Sequence, residues 1–141
     1  MRVLILCMGN SARSQMAEGL LRYLSNGSIE VFSAGISPKG VMPEAVQVMQ
    51  ERGIDISAQT SKSVDIYVGQ PFDYVITVCD QASELCPLFP GKGERIHWSF
   101  PDPAEVEEET GRLHALRTVR DGLEACFRTW MPTVNVEAVL T

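Results

Sequence analysis

A continuous apolar run and the polar loop after it begin the chain, in the sequence Arg2-Val-Leu-Ile-Leu-Cys7-Met-Gly-Asn-Ser-Ala-Arg13-Ser14. An apolar run without alternation predicts a parallel β-strand that is buried on both of its faces. From Ser14 to about Leu24 the apolar residues recur at helical spacing, so the polar loop joins a strand to a helix. This order predicts an α/β protein whose ligand site lies beyond the carboxyl ends of its strands.

The same alternation of strand and helix patterns continues along the rest of the chain. Apolar runs predict further strands at Ile29–Ala34, Asp73–Cys79 and Arg95–Trp98. Helical spacing predicts helices over Pro43–Gly53 and from Ala104 to about Trp130. Right-handed crossovers between such strands give one parallel sheet covered on both faces, in a three-layer α/β/α domain. No linker or internal repeat interrupts residues 1–141, so we expect a single domain.

Composition and charge exclude several classes of protein. The 141 residues are 45% hydrophobic and 21% charged, which is ordinary for a globular chain and excludes a disordered one. The formal charge of -6 argues against binding to nucleic acid, because an acidic surface repels phosphates. No apolar stretch is long enough to span a membrane or to form the core of a signal peptide. We therefore expect a soluble cytoplasmic protein, a monomer by default, whose four cysteines are thiols rather than structural disulfides.

Residues 7–14, which we call the anion loop, have the composition of an oxyanion site that contains a nucleophile. Backbone N–H groups at a helix N-terminus converge on one point, where the helix dipole adds partial positive charge. Gly9 permits a tight turn, and the planar fork of Arg13 matches two oxygens of a tetrahedral oxyanion. The same groups stabilise a Cys7 thiolate. The residues expected to bind the oxyanion are Met8, Gly9, Asn10, Ser11, Ala12, Arg13 and Ser14.

Two parts of this pattern also have a plainer structural interpretation. Cys7 alone would be a buried residue before an ordinary turn, but an Arg and a Ser at this spacing favour catalysis. Asp102, between Pro101 and Pro103, fits the N-cap of the helix that follows. It equally fits a general acid that is held in place by a stiff backbone. The two roles of Asp102 are compatible with each other.

The pattern Cys-x-Gly-Asn-x-x-Arg-Ser at residues 7–14 resembles the low-molecular-weight protein tyrosine phosphatases, a superfamily that includes the thioredoxin-coupled arsenate reductases. The longer string Gly-Asn-Ser-Ala-Arg-Ser-Gln-Met-Ala-Glu-Gly at residues 9–19 is most similar to the reductase branch. The resemblance extends from Arg2 to the last helix and implies a four-stranded parallel sheet flanked by helices. It also implies that Asp102 is the general acid of the reaction.

Cys79 and Cys86 separate the reductase branch from the phosphatases. Six residues lie between them, and a disulfide needs Cα atoms within roughly 7 Å, so the segment would have to rearrange. No strong periodic pattern extends from Cys79 to Pro90, which permits such movement. The resemblance implies a relay in which Cys7 attacks arsenate, Cys79 attacks Cys7 and Cys86 attacks Cys79. It further implies that thioredoxin reduces the resulting Cys79–Cys86 disulfide.

Three functions remain open on the sequence alone. The first is arsenate reduction with thioredoxin as the reductant. The second is hydrolysis of phosphotyrosine through a phosphocysteine at Cys7, although the acidic run Ala104–Glu109 disfavours a phosphopeptide. The third is a non-enzymatic oxyanion-binding or redox-sensing module, against which a proton donor at Asp102 argues.

No metal or other cofactor is expected. His97 and His114 have no cysteine or histidine partners at metal-ligand spacing. Some enzymes of the reductase branch bind potassium near the residue that Asn10 matches, but Lys62 stands where those enzymes carry an acid. The ammonium of Lys62 can replace that cation. Cys126, in the last helix, is expected to be a core residue without a redox role.

Overall fold

Four parallel strands form the centre of the computed structural model, which describes residues 1–134. They are β1 (Arg2–Cys7), β2 (Glu30–Gly35), β3 (Tyr74–Thr77) and β4 (Glu94–His97), in the sheet order β2-β1-β3-β4. β1 lies inside the sheet with Val3 to Leu6 fully buried, as its continuous apolar run predicts. The expected four-stranded parallel sheet is confirmed.

Helices flank this sheet. They are α1 (Arg13–Leu24), α2 (Pro43–Gln50), α3 (Asp80–Leu85) and α4 (Glu109–Trp130), and short 3-10 turns occupy Val64–Tyr67, Pro103–Glu105 and Met131–Val134. α1, α2 and α4 pack against one another, while α3 packs on β1 and β3. The α/β fold class is therefore the one that the sequence predicts. The predicted single domain 1–141 extends over residues 135–141, which lie outside the described residues.

The segment after β3 differs from the sequence prediction. The strand ends at Thr77 rather than at Cys79, and Asp80–Leu85 form α3 although they show no strong periodic pattern. Asp80 in the first turn favours the helix, because a negative charge there complements the helix dipole. Pro87 ends the helix, because the residue before a proline avoids helical backbone, and Cys86 is extended with a ψ of 122°.

The start of α4 also differs from the prediction. The helix begins at Glu109 rather than near Ala104. Asp102 and Pro103 begin a separate 3-10 turn, and the backbone at Val106 is extended before the helix begins. The chain therefore places Asp102 at the N-cap of a short turn and not at the N-cap of α4.

The register brings the carboxyl ends of the strands to one edge of the sheet. Cys7, the last residue of β1, pairs with Gly35 at the end of β2. On the other side, Leu6 pairs with Thr77, and Thr77 pairs in turn with His97. The candidate nucleophile therefore lies at the edge where α/β proteins bind their ligands.

Gly35→Ala is expected to displace the anion loop. Its Cβ would lie 2.8 Å from the Asn10 backbone nitrogen and 2.8 Å from the Met8 backbone oxygen, which cannot turn aside like the end of a side chain. We expect a loss of stability on the order of 1–3 kcal/mol and a loss of phosphate binding. Thermal unfolding with and without inorganic phosphate measures both effects.

Gly19→Ala is the matched control for Gly35→Ala. Its Cβ would lie 2.5 Å from the Cγ2 atom of Ile56, so the clash is between α1 and a side chain that is not part of the anion loop. We expect this variant to be destabilised and still to be stabilised by phosphate. Equal stabilisation of Gly35→Ala and wild-type protein by phosphate would show that β2 does not shape the site.

Candidate active site

Cys7 lines a small cavity of about 60 Å³ at the carboxyl edge of the sheet. The lining consists of Cys7, Met8, Gly9, Ser11, Ala12 and Arg13 from the anion loop, and Lys39, Met42, Asp102 and Ala104 from other segments. Cys7 itself is 2% exposed. The size of the cavity suits a small tetrahedral oxyanion. Because Cys7 lines the cavity, an oxyanion bound there would lie next to the Cys7 sulfur.

Polar groups surround the Cys7 sulfur. The backbone N–H of Asn10 donates to Sγ at 3.2 Å, and the Ser14 hydroxyl lies 2.9 Å from the same atom. When the sulfur is a thiolate, the Ser14 hydroxyl is the donor. Arg13 and the N-terminus of α1 add positive charge on the same side. The structure therefore brings together Cys7, Arg13 and Ser14, as the sequence predicts.

Asn10 stabilises the shape of the anion loop. Its φ of 44° lies in the left-handed region, which a residue with a side chain adopts when its surroundings support it. The side-chain amide donates to Ser14 Oγ at 2.7 Å and to Ser33 Oγ at 3.0 Å. Its oxygen accepts from Gln15 Nε2 at 3.0 Å and from the Lys62 backbone N–H at 2.8 Å. Asn10 is fully buried, so these bonds hold the loop without competition from water.

Glu18 is a buried carboxylate behind the loop. Ser33 donates to one of its oxygens at 2.5 Å, and Arg22 donates to the other at 2.8 Å. The Lys62 ammonium lies 3.9 Å from Glu18, and burial lowers the pKa of Lys62 while the charge of Glu18 opposes that change. A lysine therefore supplies positive charge beside Glu18. Within residues 1–134, no group of three or more His, Cys, Asp or Glu side chains is placed to hold a metal ion.

Arg13 and Asp102 form one wall of the Cys7 cavity. Arg13 Nη2 lies 3.6 Å from Asp102 Oδ2, and Arg13 Nη1 donates to the carbonyl of Phe100 at 3.0 Å. Asp102 Oδ1 accepts the backbone N–H of Ala104 at 3.0 Å, which is the capping bond. The carboxyl group is 39% exposed and lines the cavity. This geometry is compatible with a general acid, and the capping bond of Asp102 belongs to the 3-10 turn rather than to α4.

A second cavity adjoins the first and contains Cys79. Arg13 and Asp102 line both cavities, so they form the partition between Cys7 and Cys79. Cys79 occupies the N-cap position of α3, and Cys86 occupies its C-cap position. At a rise of about 1.5 Å per residue, the helix separates these two backbones by about 10 Å, beyond the roughly 7 Å of a disulfide. The fold therefore brings Cys79 near Cys7 and keeps Cys86 apart from Cys79.

Few side chains of α3 are buried in the core. Among the residues of α3, all of which the structure describes, Ala82 is the one that is buried. Cys86 beyond it is half-buried, and burial raises the pKa of its thiol while the charge of Arg95 opposes that change. The Arg95 guanidinium donates to the carbonyls of Cys86 and Pro87, at 3.1 Å and 2.7 Å. Unwinding α3 would therefore break few core contacts.

A chain of hydrogen bonds connects the start of α3 to β3 and β4. His97 Nε2 lies 2.8 Å from Asp80 Oδ1, and His97 Nδ1 lies 2.8 Å from Thr77 Oγ1. Hydrogen bonds with His97 and Ser99 hold the pKa of Asp80 below its usual range, and the charge of Arg13 contributes less. Sequence reasoning missed this contact, because it considered His97 as a metal ligand alone. The pairing of Thr77 with His97 across strands creates the contact.

Cys126 and Trp98 lie apart from the anion cavity. Cys126, on α4, is half-buried beside an apolar groove, and burial raises the pKa of its thiol. Trp98 packs edge-to-face against Phe127 with the ring centroids 5.3 Å apart.

Lys39 and Met42 complete the wall of the Cys7 cavity. Sequence reasoning missed both because no local motif connects them to the anion loop. Within the described part of the chain, no helix is both long enough and apolar enough to cross a membrane.

The fold and the thiol in its anion loop define a phosphatase-like α/β protein. A model of the low molecular weight phosphotyrosine protein phosphatase family matches residues 2–140, and the chain belongs to that family. An arsenate reductase of Halalkalibacterium halodurans is 43% identical over 132 residues, which are 93% of this chain and 95% of that protein. A solved arsenate reductase in the oxidized state has a TM-score of 0.80 at 32% identity, over 95% of this chain and 98% of that one. The thioredoxin-dependent arsenate reductase of Corynebacterium glutamicum has a TM-score of 0.68 at 26% identity, over 94% of this chain and 62% of that one.

Asp80→Asn is expected to loosen the start of α3. The change weakens the contact with His97 and removes the negative charge that the helix dipole favours. α3 should then unwind more often, and alkylation of the Cys86 thiol should become roughly two- to fivefold faster. Mass spectrometry of the Cys86 peptide during reaction with iodoacetamide measures this rate.

Glu84→Gln is the control for the change in charge, since Glu84 is an exposed residue of the same helix. We expect its alkylation rate at Cys86 to stay close to that of wild-type protein. If the Asp80 and Glu84 variants react at the same rate, the contact with His97 does not restrain α3.

Proposed function

We propose that this protein is an arsenate reductase in which Cys7, Cys79 and Cys86 form a thiol–disulfide relay that thioredoxin regenerates. One observation carries the proposal. Cys79 lines a cavity that shares the Arg13–Asp102 partition with the Cys7 cavity, while Cys86 lies at the far end of a thinly packed helix. The identity to arsenate reductases over most of the chain supports the same activity. The phosphatase alternative is not favoured, because a phosphocysteine mechanism needs neither Cys79 nor Cys86.

The first step forms a bond between Cys7 and arsenic. The Cys7 thiolate attacks arsenate held by the amides of the anion loop and by Arg13, and a hydroxyl leaves from As(V). Asp102, which lines the same cavity, gives that hydroxyl a proton, so water departs. Backbone N–H groups of residues 8–14 and the side chain of Arg13 bind the oxyanion, whereas the Ser14 hydroxyl donates to the Cys7 sulfur.

The second step reduces arsenic. The Cys79 thiolate attacks the Cys7 sulfur, a sulfur–sulfur bond forms and the sulfur–arsenic bond breaks. The electron pair of the broken bond stays on arsenic, so As(V) becomes As(III) and leaves as arsenite. Cys7 and Cys79 together are oxidised by two electrons. Arg13 and Asp102 form the partition between the two cavities, so their side chains must move aside before Cys79 can reach the Cys7 sulfur.

The third step moves the disulfide outward. Cys86 attacks Cys79, which forms the Cys79–Cys86 bond and releases Cys7 as a thiolate. This step requires α3 to unwind, because the intact helix holds the two residues about 10 Å apart. Unwinding also exposes the half-buried Cys86, where thioredoxin can reach the disulfide. A dithiol then supplies the two electrons that close the cycle.

The same chemistry indicates where and in what form the protein works. Three thiols that must begin reduced fit the cytoplasm, where cellular reductants maintain them. We propose that it acts there as a monomer of one domain, residues 1–141, with arsenate and thioredoxin as its partners. No nucleic acid, membrane or resident cofactor enters the relay.

Cys86→Ser is expected to limit the protein to one turnover. The Cys7–Cys79 disulfide would form once and then have no thiol to attack it, so about one arsenite would appear per protein molecule. Cys126→Ser, a change at the thiol on α4 outside the relay, should retain full turnover. Arsenite release in the presence of thioredoxin, thioredoxin reductase and NADPH measures both. Continued turnover by the Cys86 variant contradicts the relay.

Asp102→Asn is expected to remove the general acid and to preserve the cap of the 3-10 turn. Asn is as good an N-cap as Asp, so the 3-10 turn and the melting temperature should remain unchanged. Asn cannot protonate the leaving hydroxyl, and kcat should fall on the order of 100-fold or more. Glu105→Gln, beside the same partition, should keep kcat within about twofold. An Asp102 variant with the kcat of wild-type protein would remove Asp102 from the reaction.

A further inference from the structure

Lys39 reaches the Cys7 cavity from the segment that follows β2. The backbone of this segment runs along the anion loop, with Ser37 N–H donating to the Met8 carbonyl at 2.8 Å and Lys39 N–H donating to the Gly9 carbonyl at 2.9 Å. Carbons of the Lys39 side chain lie 3.5 and 3.6 Å from the position of a Cβ on Gly9. The side chain therefore lies over Gly9 and lines the same cavity as Asp102.

Two basic side chains line the cavity within residues 1–134, and they are Arg13 and Lys39. Arg13 lies 3.6 Å from Asp102 and donates to the carbonyl of Phe100, so it already has other partners. A bound dianion and the reacting Cys7 thiolate are both negative, and the whole protein carries a charge of -6. Lys39 adds a second positive charge to the cavity, beside the loop amides and the helix dipole that attract the anion.

The other two lysines do not supply this charge. Lys62 lies behind the loop, 3.9 Å from Glu18, and does not line the cavity. Lys92 is an exposed residue in the segment before β4 and also does not line it. The three lysines of the sequence therefore occupy three distinct environments, which makes each a control for the others.

We propose that Lys39 is an anion-binding and specificity-determining residue of this site, which selects doubly charged tetrahedral oxyanions. Its ammonium contacts the outward oxygens of the bound anion, while Arg13 and the loop amides hold the inner ones. This inference rests on the proposed function for its substrate, arsenate, which is largely dianionic above neutral pH. Binding of inorganic phosphate, a tetrahedral anion of the same charge, tests Lys39 separately from arsenate reduction.

Lys39→Met removes the charge and keeps an apolar side chain to cover Gly9. We expect KM for arsenate and Kd for inorganic phosphate to rise roughly five- to tenfold at low ionic strength, with kcat within about twofold. Sodium chloride should raise both constants for wild-type protein and change them less for the variant, because screening acts on the missing charge. Lys39→Arg should restore both constants, and Lys92→Met should leave them unchanged.

Acetylation of the lysines gives an independent measurement on wild-type protein. Inorganic phosphate should slow acetylation at Lys39 at least threefold and leave Lys92 unaffected, as followed by mass spectrometry. Unchanged phosphate Kd in Lys39→Met, or equal protection of both lysines, overturns the role of Lys39 whether or not arsenate is reduced. Absence of arsenate reduction in wild-type protein with normal phosphate binding overturns the proposed function and leaves the role of Lys39 in anion binding supported.

Discussion

The site depends on the close packing of the anion loop around the Cys7 sulfur. The backbone N–H of Asn10 donates to this sulfur, and Asn10 itself adopts a left-handed conformation that four side-chain hydrogen bonds support. Gly35 admits this loop against the end of β2, where a Cβ has no room. The loop therefore has its shape before a ligand arrives, and little energy is needed to order it around an oxyanion.

The anion loop is fixed in shape, whereas the relay requires α3 to unwind. Cys7 lies in the fully buried part of the fold, whereas α3 presents most of its residues to solvent and ends at a proline. Apart from the buried Ala82, its restraints are polar contacts at the two ends, from His97 to Asp80 and from Arg95 to the carbonyl of Cys86. Such contacts break at lower cost than buried apolar packing, so the movement is confined to the segment that must move.

Local pattern predicts the parts of this protein that local forces determine. One apolar run predicts β1, one polar motif predicts the anion loop and one helical period predicts α1. The motif also predicts Cys7 as the nucleophile and Arg13 as an oxyanion-binding residue. The helix α3 was missed, because six residues are too few to show a period. Lys39 was missed because only the tertiary fold brings it over Gly9. The start of α4 was placed too early, since spacing does not report a short turn before a helix.

Disulfide mapping after one equivalent of arsenate tests the central claim most directly. Reduced wild-type protein, without thioredoxin, receives one arsenate per molecule, and peptides are mapped by mass spectrometry after acid quenching. The account predicts one arsenite per molecule, a Cys79–Cys86 disulfide and a free thiol at Cys7. Recovery of all three thiols with no arsenite formed would contradict it.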